Sequence, residues 1–350
     1  MLLLSINDIS VPWLNKVMET NSITGFSARR VGEGVGLMGI LAIVTLESED
    51  DSIPPTIVVK IQTTDEQNLA VAETYRTYLR EVTFYQHLSQ DCGIETPDCY
   101  YSLLDEEKNQ FLLVLQDLSA LQPIDQIEGS DRSQTLLAVE QLARLHSKYW
   151  NKLDEGKCAD MFDWNDLWPS VVESYVPMLG ASIEKTKTIV PEETANFLKS
   201  FGEQLEALLP KLSEQRTFIH GDYRLDNFFF NKDYSDMLVI DWGNSGKGPA
   251  MFDFSYFLTT CLDVELRRSV EKDAVQLYCD TLRANGVEGY DAENCWRDYV
   301  WGVPLAFYIP IIVMSSMGAG NDRGDLLVQT MYDRGIAAMV DHKTHLSGLM

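Results

Sequence analysis

His220-Gly221-Asp222-Tyr223-Arg224-Leu225-Asp226-Asn227 runs on, after a short polar segment, to Val239-Ile240-Asp241-Trp242-Gly243. Asp222 stands five residues before Asn227, and Asp241 follows that Asn by fourteen, at the end of an apolar strand pattern. Transfer of a phosphoryl group from a nucleotide needs groups of this kind. One carboxylate orients or deprotonates an acceptor hydroxyl, a second holds Mg²⁺ on the phosphates, and an amide oxygen completes a shell of hard oxygen ligands. Asp222 suits the first role, Asp241 the second and Asn227 the third. Asp222 or Asn227 alone reads more readily as a turn cap. The ordered set, with its strand and turn flanks, points to chemistry.

The remaining parts of such a site are expected upstream. Gly32, Gly34, Gly36 and Gly39 fall between two strand patterns, where bare backbone approaches phosphates closely. No Gly-Lys-Ser/Thr follows, so the cluster is not a Walker A loop. Lys60 lies in the β-branched run 56–61 and is placed to reach nucleotide phosphates, although a strand Lys is commonly an edge charge. Glu81, in the helical pattern 66–89, is the partner expected to fix its direction, with Glu73 its competitor on the same helix. Segments 99–104 and 111–115 read as two further strands joined by the polar turn 105–109. Residues 1–115 thus read as a small antiparallel sheet with one crossing helix.

Past Arg132 the texture changes to long helical periods, at 134–150, 168–178, 191–209, 266–285 and 325–342. Short strand patterns at 218–220, 228–230 and 237–241 interrupt them. The boundary is expected near 116–119.

These residues resemble a known superfamily. The tract His-Gly-Asp followed by Asn227, with Ile240-Asp241-Trp242-Gly243, looks like the aminoglycoside phosphotransferase and choline kinase superfamily of protein-kinase-like fold. Tyr78-Leu79-Arg80-Glu81, Leu113-Val114-Leu115-Gln116-Asp117-Leu118, Leu142-Ala143-Arg144-Leu145-His146 and Met251-Phe252-Asp253-Phe254-Ser255-Tyr256 are similar to its ecdysteroid kinase-like, or choline-kinase-like, branch. The likeness covers about 30–258. It implies an α+β fold of two lobes: a nucleotide-binding lobe at 1–118, and a helical lobe at 119–350 with the catalytic loop at 218–243 and the acceptor site. It further implies ATP and Mg²⁺, with Gln116 and Leu118 as hinge against adenine, Leu115 lining that pocket, and Asp253 bracing the catalytic loop. Gln116 stands where this branch more often carries an acidic residue; hinge contacts are mainly backbone, so nucleotide binding is expected to survive. Trp242 replaces the Phe of protein kinases, as is ordinary in this superfamily.

Composition fits and narrows this reading. The 350 residues, at about 150 per domain, suggest two domains, and 45% hydrophobic with 23% charged content is ordinary for a globular chain. With 53 acidic against 28 basic residues, the net charge of −25 opposes binding to nucleic acid or anionic lipid. Six cysteines without a CxxC pair read as reduced thiols of a cytoplasmic protein rather than a zinc site or disulfide framework. The N-terminal segment reads as no signal peptide. Residues 299–321 approach the length of a membrane span but carry Gly302, Pro304, Pro310 and two further glycines, and read as a buried, broken helix.

His220 and His146 read as structural hydrogen bonders rather than catalysts. The acceptor, a hydroxylated small molecule, is expected in the helical lobe of a monomer or homodimer. The acidic stretch 154–166 beside Trp164 and Trp168 suits a cation, or is a solvated loop over two core tryptophans. Trp242, Trp296, Trp301 and Tyr308 would suit an apolar alcohol. The sequence reading is thus an ATP-dependent small-molecule kinase of ecdysteroid, choline or aminoglycoside kinase type. An antibiotic-inactivating or self-resistance phosphotransferase and a nucleotide-binding pseudokinase are its rivals.

Overall fold

Runs rich in β-branched and other apolar residues build the sheet that carries the first candidate groups. The computed structural model describes residues 3, 5–31, 38–315 and 322–350, arranged as two compact units. The first unit takes Met1–Asp91, Glu95–Gln122 and the short segment Leu238–Asn244. After helix α1 (Val11–Val17) come strands β1 (Ile23–Val31), β2 (Gly39–Ser48) and β3 (Thr56–Gln62). Helices α2 (Glu66–Thr74) and α3 (Thr77–His87) follow, then β4 (Cys99–Asp105) and β5 (Gln110–Gln116). The five strands form one sheet in the order β1-β2-β3-β5-β4, every neighbouring pair antiparallel.

In β3, Ile57, Val59 and Ile61 share one face and join Trp13, Leu14 and Val17 of α1 in a buried apolar cluster. The period-two alternation of a strand therefore sends Val58 and Lys60 to the opposite face. The single helix expected over 66–89 is two. Arg76 adopts a left-handed conformation (φ +53°) that ends α2 and starts α3 on a new axis. Arg80 answers the break: its Nη1 donates to the freed Tyr75 carbonyl at 3.2 Å.

The second unit takes Cys92–Ile94, Pro123–Met237 and Ser245–Met350. In chain order its elements are the two-residue strand β6 (Gln122–Pro123), which begins one residue earlier, α4 (Arg132–Tyr149), α5 (Trp168–Lys185), α6 (Glu192–Leu212), β7 (Arg216–Ile219) and β8 (Phe228–Phe230). After β9 (Met237–Val239), which runs on into the first unit, come β10 (Gly246–Pro249), α7 (Ala250–Thr260), α8 (Val264–Ala284), α9 (Ala292–Ala306), α10 (Tyr308–Ser315) and α11 (Asp322–Leu346). β7 pairs antiparallel with β10, from Arg216 opposite Pro249 to Ile219 opposite Gly246.

Every residue of α7 is buried. The segment Ala292–Ser315 is long and apolar enough to cross a membrane, yet 67% of its most apolar window lies inside the protein. It is broken between α9 and α10, and Val300, Val303, Leu305, Ile311 and Met314 belong to the core. All six cysteines are free thiols. Burial pushes Cys158 and Cys261 up to about 12, which keeps both in the unreactive thiol form.

Candidate active site

Two clusters gather the candidate residues, one in each unit. In the first, Lys60 extends from β3 and donates through Nζ to Glu81 Oε1 of α3 at 2.7 Å and to Asp241 Oδ1 at 3.0 Å. The ammonium is thereby aimed by two carboxylates of different exposure: Glu81 is 2% exposed, Asp241 47%. Burial alone would drive the proton from Lys60, but Asp241 and Glu81 outweigh it and hold the pKa above its ordinary value. Glu73, the competing partner, is exposed on α2. Gly39 makes room for the Lys60 stem, since a Cβ there would stand 3.1 Å from Lys60 Cε.

Asp241 sits at φ +65°, a left-handed conformation that Asp tolerates better than most side chains. The residues after it lock that turn against α3. Trp242 stacks on Phe84 with centroids 3.7 Å apart and donates its indole N–H to the Val239 carbonyl. A Cβ on Gly243 would come within 2.6 Å of Thr77 Cγ2. Strain at a candidate ligand persists because its neighbours over-determine it.

Leu115 and Gln116 close β5, opposite Val58 and Ile57 of β3, and Leu118 follows, buried. Gln116 is tied to Asp98, its backbone N–H donating to the Asp98 carbonyl at 2.8 Å while its Oε1 accepts the Asp98 N–H. Gly32, Gly34 and Gly36 lie outside the described residues.

The second cluster forms around Asp253, wholly buried in the first turn of α7. Its carboxylate accepts the backbone N–H of His220 at 2.6 Å and of Gly221 at 2.8 Å. Gly221 is at φ +80°, where a side chain would strain the turn. The His220 ring accepts the Asp222 N–H at Nδ1, 3.2 Å away, which ties it to the loop backbone.

Asp222 is held by three side chains. Asn227 Nδ2 and Arg224 Nε each donate to Oδ2 at 3.0 Å, and the Tyr256 hydroxyl donates to Oδ1 at 3.0 Å. Asn227 Nδ2 also donates to the Asp222 carbonyl at 2.8 Å, which commits its nitrogen to Asp222 and leaves its oxygen as the atom suited to a cation.

Sequence reasoning gave no role to Arg224 or Tyr256. Arg224 bridges Asp222 and Asp226, with Nη1 2.9 Å from Asp226 Oδ2, and a cation between two acids at such spacing was the available signal. Burial opposes its charge, but Asp222, Tyr256 and Asp226 outweigh burial and hold it protonated. Tyr256 is three residues after Asp253, on the same side of α7.

Behind this cluster, buried His146 places Nδ1 2.7 Å from the Tyr278 hydroxyl and Nε2 3.4 Å from Asp253 Oδ2. Burial pushes its pKa below the ordinary value, and Asp253 only partly opposes this. The folded state therefore prefers neutral His146, while the unfolded chain binds a proton below about pH 6.5. Stability is expected to be intact above that pH and to fall as the pH drops below it, until the folded pKa is passed. Thermal melts between pH 7.5 and 5 test this by comparing wild type with His146→Gln. A decline of equal steepness in a folded His146→Gln protein would assign the effect to other groups.

Among the described residues, no three or more His, Cys, Asp or Glu side chains stand together to hold a metal. Mg²⁺ needs no such cage, because it keeps several waters and takes one or two carboxylates with the substrate's phosphates. The half-exposed Asp241 carboxylate and the Asn227 amide oxygen are donors of that type.

The aromatic groups considered for an acceptor have protein partners of their own. Trp164 and Trp168 are buried, the first against Phe252, and Asp163 pairs with Arg216 at 2.5 Å. Tyr308 stacks on Tyr175, Trp296 packs against Tyr299 and His342, and Lys211 Nζ covers the Trp301 ring at 3.9 Å.

Residues 37–286 match the profile of the ecdysteroid kinase-like family. The chain belongs to that family. Two curated proteins of Caenorhabditis elegans are similar to this family member. An uncharacterized oxidoreductase is 26% identical over 60% of this chain and 27% of its own length. An uncharacterized kinase-like protein is 26% identical over 70% of each. The chain thus spans about a quarter of the first relative.

Among solved structures, choline kinase from Cryptosporidium parvum matches at TM-score 0.56 and 12% identity, covering 93% of this chain and 91% of that one. A microcompartment-associated aminopropanol kinase matches at 0.57 and 14%, covering 97% and 99%. The GDP complex of wild-type aminoglycoside 2'-phosphotransferase-IIIa matches at 0.50 and 15%, covering 93% and 96%. At these identities the likeness is one of fold. The ecdysteroid kinase-like chain has the protein-kinase-like α+β fold of choline kinases and aminoglycoside phosphotransferases, as its sequence implied.

Proposed function

We propose that this protein transfers the γ-phosphoryl group of ATP to a hydroxyl of a small molecule. The observation that carries the reading is Lys60, an obligate cation aimed by Glu81 and Asp241, within a chain that also assembles the Asp222–Asn227 pair. Lys60 holds the nucleotide phosphates, as a directed ammonium does in this chemistry. Asp222 accepts a hydrogen bond from the acceptor hydroxyl and takes its proton as the oxygen–phosphorus bond forms and the bond to the ADP oxygen breaks. When Mg²⁺ is bound, Asp241 and Asn227 would hold it, and it neutralises charge on the phosphates.

Family membership supports a kinase-like activity, and the neighbours named for choline, aminopropanol and an aminoglycoside favour a small-molecule acceptor. With the tryptophans of 164–168 in the core, neither a cationic nor an apolar acceptor is favoured by an aromatic wall there. We place the protein in the cytoplasm, consistent with its free thiols.

The test is a screen of hydroxylated metabolites and antibiotics with MgATP, read by mass spectrometry as gain of one phosphoryl group. One phosphorylated product whose formation requires Mg²⁺ is the expected result. Failure of the folded protein to bind MgATP at millimolar concentration would end the proposal.

A further inference from the structure

An ionised carboxylate offers about four lone-pair positions, two on each oxygen. On Asp222, Arg224 Nε and Asn227 Nδ2 fill the pair on Oδ2, and the Tyr256 hydroxyl takes one on Oδ1. Among the described residues these are the side chains recorded on that carboxylate, so a single direction on Oδ1 remains for a further donor. The geometry points to Tyr256 as a positioning residue that fixes the one Asp222 lone pair left for the acceptor hydroxyl.

Three features support this beyond the contact itself. Tyr256 is 1% exposed, on a helix buried at every position, so its hydroxyl is delivered from a rigid base. The same helix carries Asp253, three residues earlier, which holds the His220 and Gly221 backbone. One element therefore sets both the backbone and the carboxylate plane of the loop. Burial, then the Asp222 charge, keep the phenol far above its ordinary pKa, so it remains a donor to Asp222 throughout the working range. Arg224, which also donates to Asp226 and Gln126, contacts only the other oxygen, so the direction left on Oδ1 is set by Tyr256.

The chemistry rests on the phosphotransferase reading, but the placement of Asp222 does not, and the experiment separates them. Tyr256→Phe removes only the hydroxyl and should fold. A crystal structure of Tyr256→Phe is expected to show the Asp222 carboxylate turned about its Cβ–Cγ bond relative to wild type. An unchanged carboxylate overturns the inference, whatever the activity.

Mg²⁺-dependent ATP hydrolysis, with water as acceptor, gives the functional arm. Turnover of Tyr256→Phe should fall about 10-fold, the scale of one lost hydrogen bond, with the KM for ATP unchanged. In an Asp222→Asn background the same substitution should cost nothing further, because residues acting through one another are not additive. An equal 10-fold loss in both backgrounds would make Tyr256 merely structural and overturn the inference. Absence of any MgATP binding or turnover in wild type would count against the phosphotransferase reading alone, leaving the crystallographic arm to decide the position of Asp222.

Discussion

Asp222→Asn is expected to cut phosphoryl-transfer turnover by about 10²–10⁴-fold, the usual range for a positioned acid–base group. The substitution preserves size and removes the negative charge with its capacity to take a proton. Nucleotide affinity should change little, because Lys60 and Asp241 belong to a separate cluster and Asn227 keeps its bond to the residue-222 carbonyl. Some stability will be lost as well. The Asn amide presents its NH₂ group either to Tyr256 or to the donors of Arg224 and Asn227, where the carboxylate now accepts. Arg224 keeps Asp226, so the loop should stay closed. Circular dichroism and a melt establish folding first; steady-state turnover under saturating MgATP then decides. A folded variant with near-normal turnover would remove Asp222 from the chemistry.

What could be read from sequence, and what could not, follows from the range of the interactions involved. β-Branched enrichment disclosed β3, and a short apolar run after a polar turn disclosed β5, because each of those strands carries its own signal. The pairing of Lys60 with Glu81 was legible because the strand and the helical stretch after it are close in sequence. Asp241, 181 residues from Lys60, reached the list only through its tract. Helix α7 escaped periodicity altogether: every position is buried, so no polar face marks a 3.6-residue repeat. Helix α1 is seven residues long, too short for a pattern to stand out. The break at Arg76 was hidden for a different reason. A left-handed residue usually announces itself as Gly or Asn, and here it is Arg, stabilised by a contact from Arg80 four residues on. Trp164 and Trp168 show the converse limit. An acidic loop beside aromatics describes both a cation pocket and a core edge, and burial alone separates them.

The second large effect is expected from Asp241→Asn, chosen because the backbone there constrains the experiment. Asn shares the tolerance of Asp for left-handed φ, so the turn at +65° and the Trp242–Phe84 stack should persist. Its Oδ1 still accepts from Lys60, and Glu81 remains as the charged partner. What disappears is the carboxylate charge offered to Mg²⁺. Affinity for MgATP should therefore fall at least about 100-fold, beyond the loss typical for disturbing only a ligand's outer hydrogen bonds. ATP without metal, which leans on Lys60, should bind nearly as before. Calorimetric titration with and without Mg²⁺ reads both quantities in one protein. Asp241→Ala serves as comparator: it should match the loss of metal-dependent affinity and add about 1 kcal/mol of instability, because Ala resists the left-handed turn. The Asn variant removes the charge alone, whereas Ala also removes the acceptor for Lys60 and the tolerance for left-handed backbone. If the Asn variant keeps the full Mg²⁺-dependent gain in ATP affinity, the metal is held by other oxygens and Asp241 serves only to aim Lys60.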